Sequence, residues 1–328
     1  MSDKETYSGG KPVAIVVRSE FDESFHHGSV VVLDDHGTVV RAIGDTTSAI
    51  FPRSSNKPMQ TLAALRAGWK PHRTEDLAIG SASHHGEPMH LEAARRVLDD
   101  AGIDETSLQC PPALPGNPDA QRNVLAAGGN EERIYMNCSG KHSMMVAACA
   151  SLGWDVDQYR GYDEPLQSAI RDTIEDLTGE TIAATGIDGC GAPVYAFSLT
   201  GLARAFHTLA HADHGTNERD IADAMREHPD LVGGTKSNDS RAMRAIDGLM
   251  SKAGAEGVQA FSLPGWGTVA VKIDDGNGRA AMPVALAALQ QLGYRGPTNP
   301  DQAKEFTDLS EPAIKGGGET VGHVQPII

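Results

Sequence analysis

Ser54 stands three residues before Lys57, directly ahead of Pro58, and on a helical turn positions i and i+3 share a face. That spacing brings a hydroxyl within reach of an amine. A neutral lysine there can take the serine proton and create an acyl-forming nucleophile. A serine ahead of a helix also serves simply as its cap, so the pair alone leaves both readings open.

Four further clusters bear on that choice. Ser81-Ala82-Ser83-His84-His85-Gly86-Glu87-Pro88 sets hydroxyl, imidazole and carboxylate groups just before a helix, as chemistry or as a capping box. Its two histidines are adjacent, and one helix face cannot hold both as metal ligands. Asn137-Cys138-Ser139-Gly140-Lys141-His142-Ser143 packs thiol, amine and imidazole together, with Gly140 expected in a tight turn before a helix starting at Met144. Gly186-Ile187-Asp188-Gly189-Cys190-Gly191-Ala192-Pro193 is a glycine-rich turn carrying one acid and one thiol. Lys272 lies on a strand, either functional or an edge lysine paired with Asp274. Of the cysteines, Cys138 and Cys190 sit in polar, glycine-bearing loops, whereas Cys149 sits among alanines and reads as core. The two loop thiols fit a disulfide, a metal site or neither; a metal ranks first in a reducing compartment, and a third ligand is then required.

Elements that must hold these groups are readable from periodicity. Residues 12–17 (PVAIVV) predict a buried strand, and residues 29–33 and 38–43 flank Asp34-Asp35-His36-Gly37 as a hairpin. Helices are expected over 58–67, 88–101 and 164–178, stopped by Gly68, Gly102 and Gly179. In the third, Leu166, Ile170, Ile174 and Leu177 form the apolar stripe and Asp163 is the expected cap. Residues 110–118 (CPPALPGNP) read as a rigid loop near the site. Residues 268–273 alternate as a strand, with Val269, Val271 and Ile273 on one face and Ala270 and Lys272 on the other. A turn over 274–278 leads to a last apolar helix over 284–292. Strands and helices mixed in this way point to an α/β fold, a mixed α+β sandwich.

The chain has 328 residues, 40% hydrophobic and 22% charged, with 36 glycines and a net charge of -16. It is long enough for a large core, and its acidity argues against nucleic acid or an anionic membrane as partner. A small neutral or amphoteric substrate fits better. The first residues lack the apolar core of a signal peptide, so a cytoplasmic protein is expected, with a flexible leader over 1–10 and a single catalytic domain over 11–328.

In this order, RSSNKPMQ, SASHHGEPMH, NCSGKHS, GIDGCGAP and VAVKIDDGNGRA strongly resemble the asparaginase II family, the class 3 or rhizobial-type L-asparaginases. Residues 18–28, with Glu23-Ser24-Phe25-His26-His27-Gly28, and the closing Glu319-Thr320-Val321-Gly322 fit the same pattern. The resemblance implies a fold like the serine β-lactamases and glutaminases, a homodimer, and hydrolysis of L-asparagine to L-aspartate and ammonia. It assigns two Ser-Lys tandems, Ser54 with Lys57 and Ser83 with Lys272, and a zinc held by Cys138, Lys141 and Cys190. It also places Arg53 and His142 around the site and Asp188 near a metal-bound water; the planar guanidinium of Arg53 suits bidentate contact with the substrate α-carboxylate. One departure stands out: Ser143-Met144-Met145 replaces a stretch in which the family has glycine, and these bulkier side chains are expected to reshape the pocket.

Overall fold

The computed structural model describes residues 7–328. The six residues before them, part of the expected leader, lie outside the described residues. Residues 7–10 are held in place: Tyr7 Oη donates to Asp274 Oδ1 at 2.6 Å, Gly10 N to Asp274 Oδ2 at 2.8 Å, and Ser8 Oγ to Asp45 Oδ2 at 2.9 Å.

Strands β1 (Lys11–Arg18), β2 (Phe21–Asp34) and β3 (Val39–Ile43) open the chain, and the β2–β3 hairpin closes where the sequence placed it, Gly37 N donating to Asp34 O. After β4 (Ala49–Ile50) the chain turns helical through α1 (Lys57–Ala67), α2 (Thr74–Gly80), α3 (Pro88–Asp100), α4 (Pro118–Ala126), α5 (Ser139–Leu152) and α6 (Pro165–Thr178). Strands β5 (Ala184–Ile187) and β6 (Pro193–Ser198) flank the glycine-rich turn, and α7 (Leu199–His211), α8 (Asn217–Glu227), α9 (Pro229–Gly233) and α10 (Asn238–Ala245) follow. The chain then returns to sheet in β7 (Met250–Gly254), β8 (Val258–Leu263) and β9 (Gly267–Ile273). Helices α11 (Ala281–Gln291) and α12 (Pro300–Ser310) precede the closing hairpin β10 (Ala313–Gly316) and β11 (Glu319–Pro326).

The main sheet runs β10-β11-β1-β2-β9-β8-β7, with β3 also on β2, and a smaller sheet runs β4-β6-β5. Alternation along the main sheet feeds two cores. Val30, Val32, Val269, Val271 and Ile273 pack with α10, α11 and α12. Val31, Leu33, Ala260 and Ala270 face the larger helical layer built from α1, α2, α3, α5, α6 and α7. A sheet buried on both faces needs apolar residues at every position, which is why residues 30–33 read Val-Val-Val-Leu. This is the mixed α/β sandwich expected. Among the described residues, no helix is long and apolar enough to cross a membrane.

Local expectations hold with small shifts. Gly68 and Gly179 end α1 and α6 in the left-handed conformation, φ 109° and 70°. The cap of α6 is Glu164 rather than Asp163. The expected turn at Gly140 is instead helix: α5 begins at Ser139, and Gly140 lies where a Cβ would sit 2.5 Å from the Ile79 carbonyl oxygen. Glycine therefore serves close helix contact there, not turning. Met144 and Met145 are fully buried in the helical core, and Gly80, whose absent Cβ would lie 3.2 Å from the Met144 side chain, makes room. They fill core volume and do not line the pocket described below.

Candidate active site

A 3-10 turn over Arg53–Asn56 delivers the chain into α1. Pro58 sits in the first helical turn, where its fixed φ suits the helix and its missing N–H has no partner to lose. Ser54 caps nothing: among the described residues its side chain makes no hydrogen bond, and it faces a cavity of about 510 Å³. Arg53, just before it, holds a left-handed backbone with φ 53°, a conformation that strains a residue with a Cβ.

Lys57 does not pair with Ser54. As the first residue of α1 it is buried, and its Nζ reaches the 81–87 loop, donating to the Ala82 carbonyl and to Ser83 Oγ at 2.9 Å. Ser83 lines the same cavity as Ser54. The loop that presents it is braced by His84: Nδ1 accepts the Gly86 N–H at 3.1 Å, which leaves Nε2–H to donate to Ser139 Oγ at 2.8 Å. Burial holds His84 well below the ordinary imidazole range, in the neutral form these two bonds require. The capping box is formed by Glu87 and not Ser83, the Glu87 N–H donating to His90 Nδ1 at 2.9 Å.

Of the two strand lysines, Lys252 lines the cavity of Ser54 and Ser83, and Lys272 does not. Lys272 Nζ donates to the Glu256 and Ile273 carbonyls, both at 2.6 Å, and lines a separate cavity with Arg53, Glu256 and Phe51. It belongs to β9, an interior strand, whereas the cavity of Ser54 and Ser83 opens at the free edge of β7. Lys252 lies on that edge, buried, with Nζ 2.8 Å from the Ala253 carbonyl and 3.8 Å from Asp239. Gly254, two residues on and on the same strand face, explains the approach: a Cβ there would lie 2.2 Å from the Pro52 carbonyl oxygen. Its absence lets β7 dock on the turn that carries Ser54. Burial, helped by the Lys57 charge, pushes the Lys252 ammonium down to about 8 against the opposing pull of Asp239 and Cys138.

A thiol corner adjoins the Lys57 side. Lys141 Nζ is 3.0 Å from Cys190 Sγ. A hydrogen bond from Cys190, with Lys57 and Lys141 nearby, outweighs burial and holds the Cys138 thiol well below its ordinary range, while sharing that bond raises Cys190. His142 is buried, its Nδ1 is 2.5 Å from Tyr159 Oη, and among the described residues its Nε2 makes no hydrogen bond. Two thiols and an amine suit zinc. Among the described residues no trio of His, Cys, Asp or Glu is arranged to hold a metal.

Arg53 and Asp188 meet each other instead of the cavity. Arg53 Nε donates to Asp188 Oδ1 at 2.7 Å, and its Nη1 is 3.6 Å from Glu256. Arg53 lines the separate cavity with Lys272 and is not among the residues lining that of Ser54 and Ser83. His142 likewise lies beneath the site. The cavity is also lined by His85 and Asn137, from clusters singled out in the sequence, and by Lys236, Asp239, Lys252 and Gln259, which were missed. One signal for Lys252 was present: a lysine two residues before a glycine, the Lys-x-Gly spacing that accompanies Ser-x-x-Lys in other serine acyl-transfer enzymes.

The sequence matches the family model of L-asparaginase II over residues 14–326. No curated protein matches it. Among solved structures, a β-lactamase from Mycobacterium bovis is similar at 15% identity, covering 81% of this chain and 95% of that chain with a TM-score of 0.47. The Bacillus subtilis glutaminase YbgJ, solved as a covalent complex with 5-oxo-L-norleucine, is similar at 14% identity over 81% and 88%, TM-score 0.40. EstCE1, a hydrolase with promiscuous acyltransferase activity, is similar at 12% identity over 80% and 93%, TM-score 0.43.

Proposed function

The chain belongs to the L-asparaginase II family, and from that premise we propose that this amidohydrolase cleaves the side-chain amide of L-asparagine to L-aspartate and ammonia. The observation that carries the reading is the convergence of Ser54, Ser83 and Lys252 on one cavity, with Lys57 bonded to Ser83 behind it. Ser54 Oγ attacks the amide carbon while neutral Lys252 takes its proton. Lys57 donates a proton through Ser83 to the departing ammonia. Backbone N–H groups of the turn that carries Ser54 stabilise the oxyanion. Water then attacks the aspartyl ester, giving a proton back through Ser83 to Lys57, and Lys252 returns its proton to Ser54, so the cycle closes.

Zinc on Cys138, Lys141 and Cys190 is part of this proposal, supported by the approach of Lys141 to Cys190 and by a His142 Nε2 that makes no hydrogen bond among the described residues. When bound, it supplies a fixed positive charge beside Lys57. Elemental analysis of the purified protein is expected to find zinc that is lost in Cys138→Ser; full turnover in metal-free protein would remove zinc from the reaction.

Intact mass after rapid quenching with L-asparagine, followed by peptide mapping, tests the covalent route. An aspartyl ester on the peptide holding Ser54 is the expected result, and steady turnover with no ester under any quench condition overturns it. The direct bond from Lys57 favours a second reading in which Ser83 is the nucleophile; the ester would then map to Ser83. L-Glutamine assayed beside L-asparagine tests the substrate.

A further inference from the structure

Asp239 lies in the first turn of α10, is 5% exposed, and borders the cavity. Its Oδ1 accepts from Ser251 Oγ at 2.7 Å and Gln259 Nε2 at 3.0 Å, and its Oδ2 accepts the Ala253 N–H at 2.8 Å. Ser251 and Ala253 are the residues on either side of Lys252, and Gln259 is opposite Ala253 on β8. Three donors converge on this side chain and it must donate to none, a demand that only an ionised carboxylate meets fully; an amide would turn an N–H toward another donor. The same carboxylate stands 3.8 Å from the Lys252 ammonium, too far for a hydrogen bond and close enough to act through charge.

We propose that Asp239 is the positioning residue of Lys252: its carboxylate pins the free edge of β7 on both sides of the lysine and sets how readily the ammonium gives up its proton. This rests on Lys252 being the base of the proposed reaction. The charged and titratable groups facing Lys252 are Asp239 from α10, Lys57 from α1, Cys138 before α5 and His85 from the 81–87 loop. Asp239 is the carboxylate among them, and with the Cys138 sulfur it holds the proton on by negative charge, Asp239 having the larger effect.

The test reads the lysine itself. Acetylation of Lys252 by acetic anhydride across a pH series, quantified by peptide mass, reports the neutral amine without requiring turnover. In Asp239→Asn the labelling midpoint is expected to fall by about one unit or more, with the acid limb of kcat/KM moving the same way and plateau turnover reduced. A midpoint and limb that stay put in a folded variant overturn the assignment. If Asp239→Asn fails to fold, Asp239→Glu keeps the charge and displaces the anchor: turnover is expected to fall by about 10²-fold with the labelling midpoint nearly unmoved, and wild-type turnover overturns the anchoring role. A wild-type protein that labels as expected but releases no ammonia from asparagine sinks the asparaginase reading and leaves the Asp239–Lys252 relation standing.

Discussion

Lys252 and Lys272 show what a residue's neighbours decide. Both are strand lysines flanked by small or β-branched residues, and apart from the Lys-x-Gly spacing at Lys252 little local separates them, because the distinction is which strand lies at the sheet edge beside the Arg53–Asn56 turn. Ser54, Ser83 and Cys190 were legible from their own polar surroundings; the partner of each serine was not, since Lys57 reaches a loop 26 residues away. Lys252→Met is expected to lower kcat by about 10²–10⁴-fold in an ammonia-release assay, whereas Lys272→Met changes kcat little. A base works when deprotonated, and Lys252 is pushed down to about 8. Activity is therefore expected to rise with pH, roughly tenfold per unit below that midpoint, and to level above it; a flat pH–rate profile from 6 to 8 would contradict this.

At the scale of elements, glycines without side chains set the approach distances. Gly254→Ala forces a Cβ against the Pro52 carbonyl, and β7 must move away from the turn that carries Ser54. We expect a stability loss of about 1–3 kcal/mol by urea titration, with a turnover loss larger than that instability explains at temperatures where the variant is folded. Gly140→Ala meets the Ile79 carbonyl and is expected to cost a similar amount by disturbing the start of α5, where Cys138 and Lys141 are held. Helix ends were legible because glycine C-caps announce themselves; α4 was not, since its proline-rich approach reads as loop and its Asn117 cap, accepting from Asp119 N and Ala120 N, resembles any turn asparagine. Gly140 was misread for the same physical reason, because a glycine selected for contact looks like one selected for conformation.

For the whole molecule, burial of neutral imidazoles makes the fold acid-sensitive. His90 is pushed down to about 4 by burial, and His84 is held low for the same cause. An unfolded histidine takes up its proton near 6.5, so below that pH the unfolded chain binds protons that the folded chain refuses. Stability is complete above about 6.5 and drains away toward 4, by about 2 kcal/mol for each such histidine at pH 5. Urea midpoints at pH 7.5 and 5 measure it, and His90→Gln, which keeps an acceptor for the Glu87 N–H, is expected to flatten the dependence. The overall class was legible because alternating and continuous apolar runs reveal sheets covered on one or two faces. Sheet order was not, because it depends on pairings between distant segments.

Those pairings join the first and last described strands. Strand β1 lies between β2 and β11, with Ala14 opposite Pro326, and β2 pairs with β9 about 240 residues away. During synthesis the sheet therefore stays unfinished until β11 has left the ribosome, and closing such distant contacts is slow. Ammonia release should lag behind the emergence of β11. Since β1 and β11 lie side by side on one sheet, a circular permutant that links residue 328 to residue 7 and opens the chain at the exposed 127–131 loop should refold with its hydrolytic centre intact.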